Sequence, residues 1–314
     1  MQHRPLGQTG LSTAPIVFGG NVLGWTIDEA QSFRVLDAFV DHGFNAIDTA
    51  DSYSRWAPGN QGGESETILG RWLKARPGLK DRVTIFTKVG SDLGRPGEKG
   101  LSEGWILQAA ERSLARLGLE RIDLYFSHWP DKDTPQAETL GAYAKLIAAG
   151  KVRAIGASNL DAGQLAQALD LAAHGLPAYQ VLQPEYNLYD RASFDGPLAD
   201  LCIRAGMGVV SYFSLASGFL SGKYRGPQDF GKSARGGGMG KYLNDRGFRL
   251  LAALDRVAAD LSASPAEVAL AWAMARPGIT APIASATTEA QVAAFARAAD
   301  LVLPPEAMAA LDIA

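Results

Sequence analysis

The sequence predicts a (β/α)8 barrel on three observations. Eight short apolar runs, Ala14–Phe18, Phe44–Ile47, Val83–Phe86, Ile122–Phe126, Val152–Ile155, Tyr179–Leu182, Met207–Val210 and Ile279–Ile283, are continuous rather than alternating. Continuous runs suit strands buried on both faces of a parallel sheet. Helical patterns with recognisable ends lie between them, as repeated βα units require. Finally, 314 residues accommodate such a barrel, which takes about 250. An open doubly wound sheet is the competing arrangement. No linker interrupts the chain, so residues 1–314 read as one domain.

The helix ends follow in order. Asp28 is placed to cap a helix with Phe33, Leu36 and Val40 on one face and Gly43 beyond it. Ser102 opens a helix carrying Ile106, Ala110, Leu114 and Leu117, closed by Gly118. Thr134-Pro135 puts proline at the first helical position of another, which Gly150 ends. Asp161 opens the next, with Leu165, Ala168, Leu169 and Ala172 inward. Ser264-Pro265-Ala266-Glu267 combines a capping box with proline in the first turn. Arg225–Arg246, rich in glycine and cations, is the longest irregular segment.

Composition narrows the function. A net charge of −3 argues against a strongly basic nucleic-acid binder, and no apolar run approaches the roughly 20 residues that span a bilayer. The start, Met1-Gln2-His3-Arg4-Pro5, lacks the apolar core of a secretory signal, so a cytoplasmic location is expected. Cys202 is the only cysteine, and His3, His42, His128 and His174 do not pair at metal-ligand spacing, so no metal is expected. Two phosphate motifs also fail: Gly19-Gly20-Asn21 has asparagine where a dinucleotide fingerprint needs glycine, and Gly240-Lys241-Tyr242 lacks the P-loop hydroxyl.

Barrel enzymes carry their chemistry at the C-terminal ends of the strands. The second run ends in Asp48, with Tyr53 shortly after it; the third ends in Lys88 and the fourth in His128. A lone Asp there is usually a turn former, and a lone Lys a solvated one. Together they suggest a reaction. A tyrosine is a poor acid at its ordinary pKa near 10, and a neighbouring ammonium is expected to lower it. Asp48 would hold Lys88 charged, Tyr53 would protonate a carbonyl oxygen as hydride reaches carbon, and His128 would orient that oxygen.

The segments Asn45-Ala46-Ile47-Asp48-Thr49-Ala50-Asp51-Ser52-Tyr53, Thr87-Lys88-Val89-Gly90, Ser127-His128-Trp129-Pro130-Asp131 and Gly156-Ala157-Ser158-Asn159 resemble the aldo-keto reductase superfamily, over nearly the whole chain. The resemblance implies a catalytic tetrad of Asp48, Tyr53, Lys88 and His128, and a short hairpin at Arg4–Ala14 closing the barrel bottom. It assigns Ser158, Asn159 and Gln183 to the nicotinamide carboxamide and Tyr212 to stacking beneath the ring. Gly218, Leu220 and Lys223 fall to the diphosphate, Ser285, Thr287 and Gln291 to the adenosine end, and Ser214, Leu215 and Ser217 to the cofactor without a stated part. Phe213-Ser214 departs from the family's usual Ser-Pro after the tyrosine. No cation follows the last strand to meet a 2′-phosphate, although Lys232, Arg235, Lys241 and Arg246 could supply one by folding over the cofactor. NADP(H) is the first expectation and NAD(H) the second. Asn21, Trp25, Trp56 and Trp129 are expected to line the substrate pocket, suiting a sugar or an aromatic aldehyde. The alternatives are a non-catalytic nicotinamide-binding regulatory subunit and an aldolase using Lys88 as a Schiff base.

Overall fold

A computed structural model describes all residues, 1–314. Eight parallel strands close a barrel: β3 (Val17–Gly19), β4 (Ala46–Asp48), β5 (Thr84–Val89), β6 (Ile122–Ser127), β7 (Val152–Ser158), β8 (Val181–Gln183), β9 (Gly208–Ser211) and β10 (Ala281–Ala284). Their order around the barrel is their order in the chain, and Ile283 opposite Val17 closes the ring. The open-sheet alternative is thereby excluded. The strands start up to three residues later than the apolar runs, as Ala14–Phe18 against Val17–Gly19 shows. Ala14 and Ile16 are fully buried all the same, in the layer between barrel and helices. An apolar run marks burial, and pairing begins only where the chain has entered the ring.

The barrel interior explains the placement of everything above it. Side chains alternate inward and outward along a strand. The inward set begins with an apolar layer: Val17, Ala46, Phe86, Leu124, Phe126, Ala154, Val181, Val210, Ala281 and Ile283, with Leu6 beneath. Leu6 belongs to the hairpin of β1 (Arg4–Pro5) and β2 (Ser12–Thr13), which seals the bottom as the resemblance implied. Its turn demands glycine: Gly7 has φ +57°, and a Cβ there would lie 2.4 Å from the Gln180 carbonyl oxygen.

Eight helices surround the ring in sequence: α1 (Glu29–Asp41), α2 (Glu64–Ala75), α3 (Glu103–Leu117), α4 (Gln136–Ala148), α5 (Ala162–Ala173), α6 (Pro197–Arg204), α8 (Pro265–Ala275) and α9 (Glu289–Asp300). Two more are additional, α7 (Asp245–Asp260) before α8 and α10 (Pro305–Asp312) at the end. Asp28 caps α1 through the Gln31 amide, and full capping boxes form at Asp161/Gln164 and Ser264/Glu267. Three expectations need correcting. Ser102 stands at the start of α3 but its side chain makes no capping bond. Pro135 is the residue before α4, which begins at Gln136. The inner face of α1 is Val35, Leu36, Phe39 and Val40, with Phe33 only half-buried at its edge. The segment after β9 is also more ordered than its composition suggested, with 3-10 turns at Ala216–Ser221, Pro227–Lys232 and Gly236–Tyr242.

Candidate active site

The inward parity that carries the apolar layer delivers polar groups one step higher. Two residues beyond Ala46, Phe86, Phe126, Val181, Val210 and Ile283 stand Asp48, Lys88, His128, Gln183, Tyr212 and Ser285. Above them opens a cavity of about 1010 Å³ at the C-terminal face. That is at the upper end for small-molecule sites, and it suits an extended ligand together with a small one.

At its floor the four predicted catalytic residues converge. Lys88 is fully buried, and its Nζ donates to Asp48 Oδ2 at 2.6 Å, to the Thr49 carbonyl at 2.8 Å and to Tyr53 Oη at 2.8 Å. Three acceptors match the three protons of an ammonium. Asp48, also buried, receives Tyr53 O–H at 3.1 Å on Oδ2 and Gln183 Nε2 at 2.9 Å on Oδ1. The Tyr53 oxygen thus accepts from Lys88, while its own hydrogen rests on a carboxylate oxygen that Lys88 shares.

The resting phenol does not follow the expected direction. Burial first, then the charge and hydrogen bond of Asp48, push the Tyr53 pKa well above its ordinary value. The expectation counted the ammonium but not burial, nor the direct effect of the Asp48 carboxylate on the phenol. Burial lowers Lys88, with Asp48 opposing. Burial, then the charge of Lys88, holds His128 well below the usual imidazole value, so the ring is neutral near pH 7. His128 Nδ1 is hydrogen-bonded to Ser91 Oγ at 3.0 Å, and the His128 carbonyl accepts from Asn159 Nδ2 at 2.9 Å.

Most residues assigned to the cofactor line this cavity: Ser158, Asn159, Gln183, Tyr212, Ser214, Leu215, Ser217, Gly218, Lys223, Ser285, Thr287 and Gln291. Asn159 takes the left-handed φ of +61°, which turns its amide to accept from Tyr212 O–H at 2.7 Å. The turn at Ala216–Ser221 holds Ala216, Ser217 and Gly218 in succession at positive φ. Such backbone is costly for non-glycine residues and persists where structure over-determines it. The Ala216 and Gly218 amides donate to the Phe213 and Leu215 carbonyls, and Ser217, Gly218 and Lys223 stand at the cavity wall. Leu220 is the exception: its side chain is fully buried in the outer core and absent from the cavity wall.

Asn21, Trp25, Trp56 and Trp129 all line the mouth. Trp25 meets Trp56 edge-on at 5.5 Å, Trp56 meets Tyr53 at 6.1 Å, and Trp129 stacks on His128 at 5.6 Å. Of the four loop cations only Arg235 reaches the cavity. Lys232 is held by the Lys223 carbonyl and Asp229, Lys241 lies over the Tyr242 ring, and Arg246 binds the Tyr189 carbonyl.

Sequence reading missed Ser91, which no motif marks, and a buried layer beneath the rim. There Glu66 accepts from Thr87 Oγ1 and Arg116 Nε, both at 2.6 Å, and neither carboxylate oxygen of Asp51 has a hydrogen-bond partner. Burial, then the nearby charge of Glu66, raises Asp51 well above the carboxylate range, which favours the neutral acid. Nowhere do three His, Cys, Asp or Glu side chains converge as a metal site, and no helix is long and apolar enough to cross a membrane.

The class of protein to which this barrel and rim belong follows from the comparisons, whose family is one of oxidoreductases. The Aldo/keto reductase family matches residues 15–314, and the chain belongs to that family. It is 30% identical to a probable voltage-gated potassium channel subunit beta of Arabidopsis thaliana, over 96% of this chain and 92% of that one. It is likewise 30% identical to the uncharacterized oxidoreductase YrpG of Bacillus subtilis, over 99% and 95%. With the L-glyceraldehyde 3-phosphate reductase of Escherichia coli it shares 29% identity over 93% and 86%.

Proposed function

We infer that this protein, with residues 1–314 acting as one cytoplasmic unit, interconverts an aldehyde or ketone and the corresponding alcohol with a nicotinamide nucleotide, Tyr53 serving as proton donor and acceptor. The carrying observation is the Lys88 ammonium shared between Asp48 and Tyr53 Oη. When bound, the nucleotide supplies or takes up a hydride. The chain's own task is the proton. A carbonyl oxygen entering the cavity competes with Asp48 Oδ2 for the Tyr53 hydrogen, and Lys88 stabilises the phenolate left behind. The Ser91–Nδ1 hydrogen bond fits the tautomer in which neutral His128 carries its proton on Nε2, the one that can hold the same oxygen. Ser158, Asn159, Gln183 and Tyr212 would hold the nicotinamide, and Ser217, Gly218 and Lys223 the diphosphate.

NADP(H) is the first choice and NAD(H) the second, since Ser285, Thr287 and Gln291 bring no cation to the adenosine end. Separate titrations of tryptophan fluorescence with NADPH and NADH decide between them. Absorbance assays on aldehydes and alcohols then test turnover. Saturable quenching with aldehyde-dependent oxidation of the nucleotide is expected, and neither occurring would overturn the reading.

The name of the Arabidopsis relative supports a second reading, a nucleotide-binding subunit acting through a partner; tight binding without turnover on a broad carbonyl panel would favour it. An aldolase is disfavoured by the site itself, because a Lys88 whose protons are all engaged is no nucleophile.

A further inference from the structure

Outside the tetrad, the Asp51 carboxyl stands apart: it is only 2% exposed, and neither of its oxygens has a hydrogen-bond partner. The donors of its layer are drawn to other groups. Arg116 gives Nε to Glu66 Oε2 at 2.6 Å and Nη2 to Ser113 Oγ at 3.3 Å, and the Thr87 hydroxyl goes to Glu66 Oε1 at 2.6 Å. Burying a carboxylate without donors is costly, and such a group keeps its proton instead. Asp51 is thus a neutral acid at rest, three residues beyond Asp48.

The backbone fixes this acid against Lys88. The Asp51 amide donates to the Lys88 carbonyl at 3.2 Å, and the Thr49 carbonyl takes one proton of Lys88 Nζ at 2.8 Å. The chain from Asp48 to Asp51 therefore wraps the lysine. Asp48 is the only carboxylate that touches the ammonium, and it also carries the bonds from Tyr53 and Gln183. The charged and titratable groups around Asp51 are Glu66 from α2, Lys88 from β5, Arg116 from α3, and the phenols Tyr125 from β6 and Tyr143 from α4. Glu66 opposes ionisation of Asp51, and Arg116 and Lys88 favour it. Burial works to strip Lys88 of its proton; Asp48 resists that first, and the charges of Asp51 and Glu66 add to the resistance.

We propose that Asp51 is a positioning residue that acts through Lys88: neutral at rest, it gives up its proton before Lys88 does, and the carboxylate so formed keeps the ammonium charged at alkaline pH, where Tyr53 still needs it. The proposal rests on the oxidoreductase reading of the same site. It gives the unpartnered acid a purpose, as a second counter-charge held back until the medium takes its proton.

The test compares the full chain with Asp51→Asn, which keeps the shape and removes the ionisable group. The first readout is the pH profile of kcat/KM for reduction of benzaldehyde by NADPH and by NADH. Near neutral pH the two proteins should agree within about twofold, while the alkaline fall of Asp51→Asn should begin about one pH unit lower, the scale of one nearby buried charge. An alkaline fall that does not move or moves upward would overturn the proposal. So would a uniform loss at every pH, which is what a purely structural residue gives. The second readout needs no turnover. The folded pKa of Asp51 lies above its unfolded value, so its contribution to stability is fully present below about pH 4 and is lost as pH rises through the folded value. Denaturant unfolding from about pH 5 to about pH 8 should therefore show the parent losing stability relative to Asp51→Asn. Parallel curves would mean that Asp51 is already ionised in the fold and would overturn the proposal. If the parent reduces the aldehyde with neither nucleotide, it is the oxidoreductase reading that fails; the unfolding comparison then judges the resting proton of Asp51 alone, by the same two outcomes.

Discussion

The two ends of the barrel interior are built from the same strands and the same side-chain parity, yet hold opposite chemistry. At the bottom, Leu6, Val17, Phe86 and Phe126 fill the space with apolar volume and satisfy one another by contact alone. One step higher, Asp48, Lys88 and Gln183 are just as buried but satisfy one another by charge and hydrogen bonds. A misplaced methyl group at the bottom costs packing energy. A misplaced proton at the top would cost the proposed reaction. The two ends should therefore separate cleanly, one reporting on stability and the other on rate.

The sharpest attempt to break that separation is Tyr53→Phe, which removes one oxygen and keeps the ring. Loss of a general acid typically costs about 10²- to 10⁴-fold, and kcat/KM should fall on that scale. The melting temperature should hold, because Asp48 keeps Lys88 and Gln183 as partners. Near-normal turnover would remove Tyr53 as the proton donor, and a large drop in melting temperature would mean the top also carries the fold.

Leu6→Ala is the mirror image. Leu6 is fully buried beneath the barrel, and large-to-small changes at such positions cost about 2–5 kcal/mol. Denaturant unfolding should show that loss, while kcat/KM of the folded enzyme stays near the parental value. A substantial change in KM would show that the plug at the bottom sets the geometry of the rim.

This division also explains what could be read from the sequence. The barrel, most helix caps and the convergence of Asp48, Tyr53, Lys88 and His128 were legible because each rests on local order: an apolar run, a capping residue, a polar group at a strand's end. The cavity-facing tryptophans were legible for the same reason, as residues following strands. Groups defined by what they meet across the fold were not. Ser91 matters through His128, Asp51 through Glu66, and the Tyr53 pKa through the balance of Asp48 against Lys88. Arg235 was visible as one of four cations on a loop, but only the fold singles it out. Leu220 shows the converse limit, a motif residue whose side chain turns into the core.

A subtler test uses pH and His128. Burial lowers its folded-state pKa below the ordinary 6.5, so the unfolded chain takes up a proton there before the folded chain does. Its contribution is fully present above about pH 6.5 and is lost as pH falls toward the folded value. Lowering the pH from about 7.5 to about 5.5 should thus destabilise the parent more than His128→Asn, measured as paired melting temperatures. Equal drops would mean that the imidazole is not held neutral, which would put its hydrogen-bonding role in question.

The smallest effect probes how the rim is anchored. Asp161 caps α5 and lies just beyond Asn159, whose amide joins the His128 carbonyl to the Tyr212 hydroxyl. Asp161→Ala should cost about 1 kcal/mol of stability, the usual value of a lost cap. Ser102→Ala, at a helix start where no capping bond forms, should cost less. If the cap only holds the helix, nucleotide affinity in Asp161→Ala will match the parent. If affinity falls more than stability does, α5 is helping to hold Asn159 in its left-handed turn, and the boundary between the stabilising and reacting parts of the barrel lies lower than the tetrad suggests.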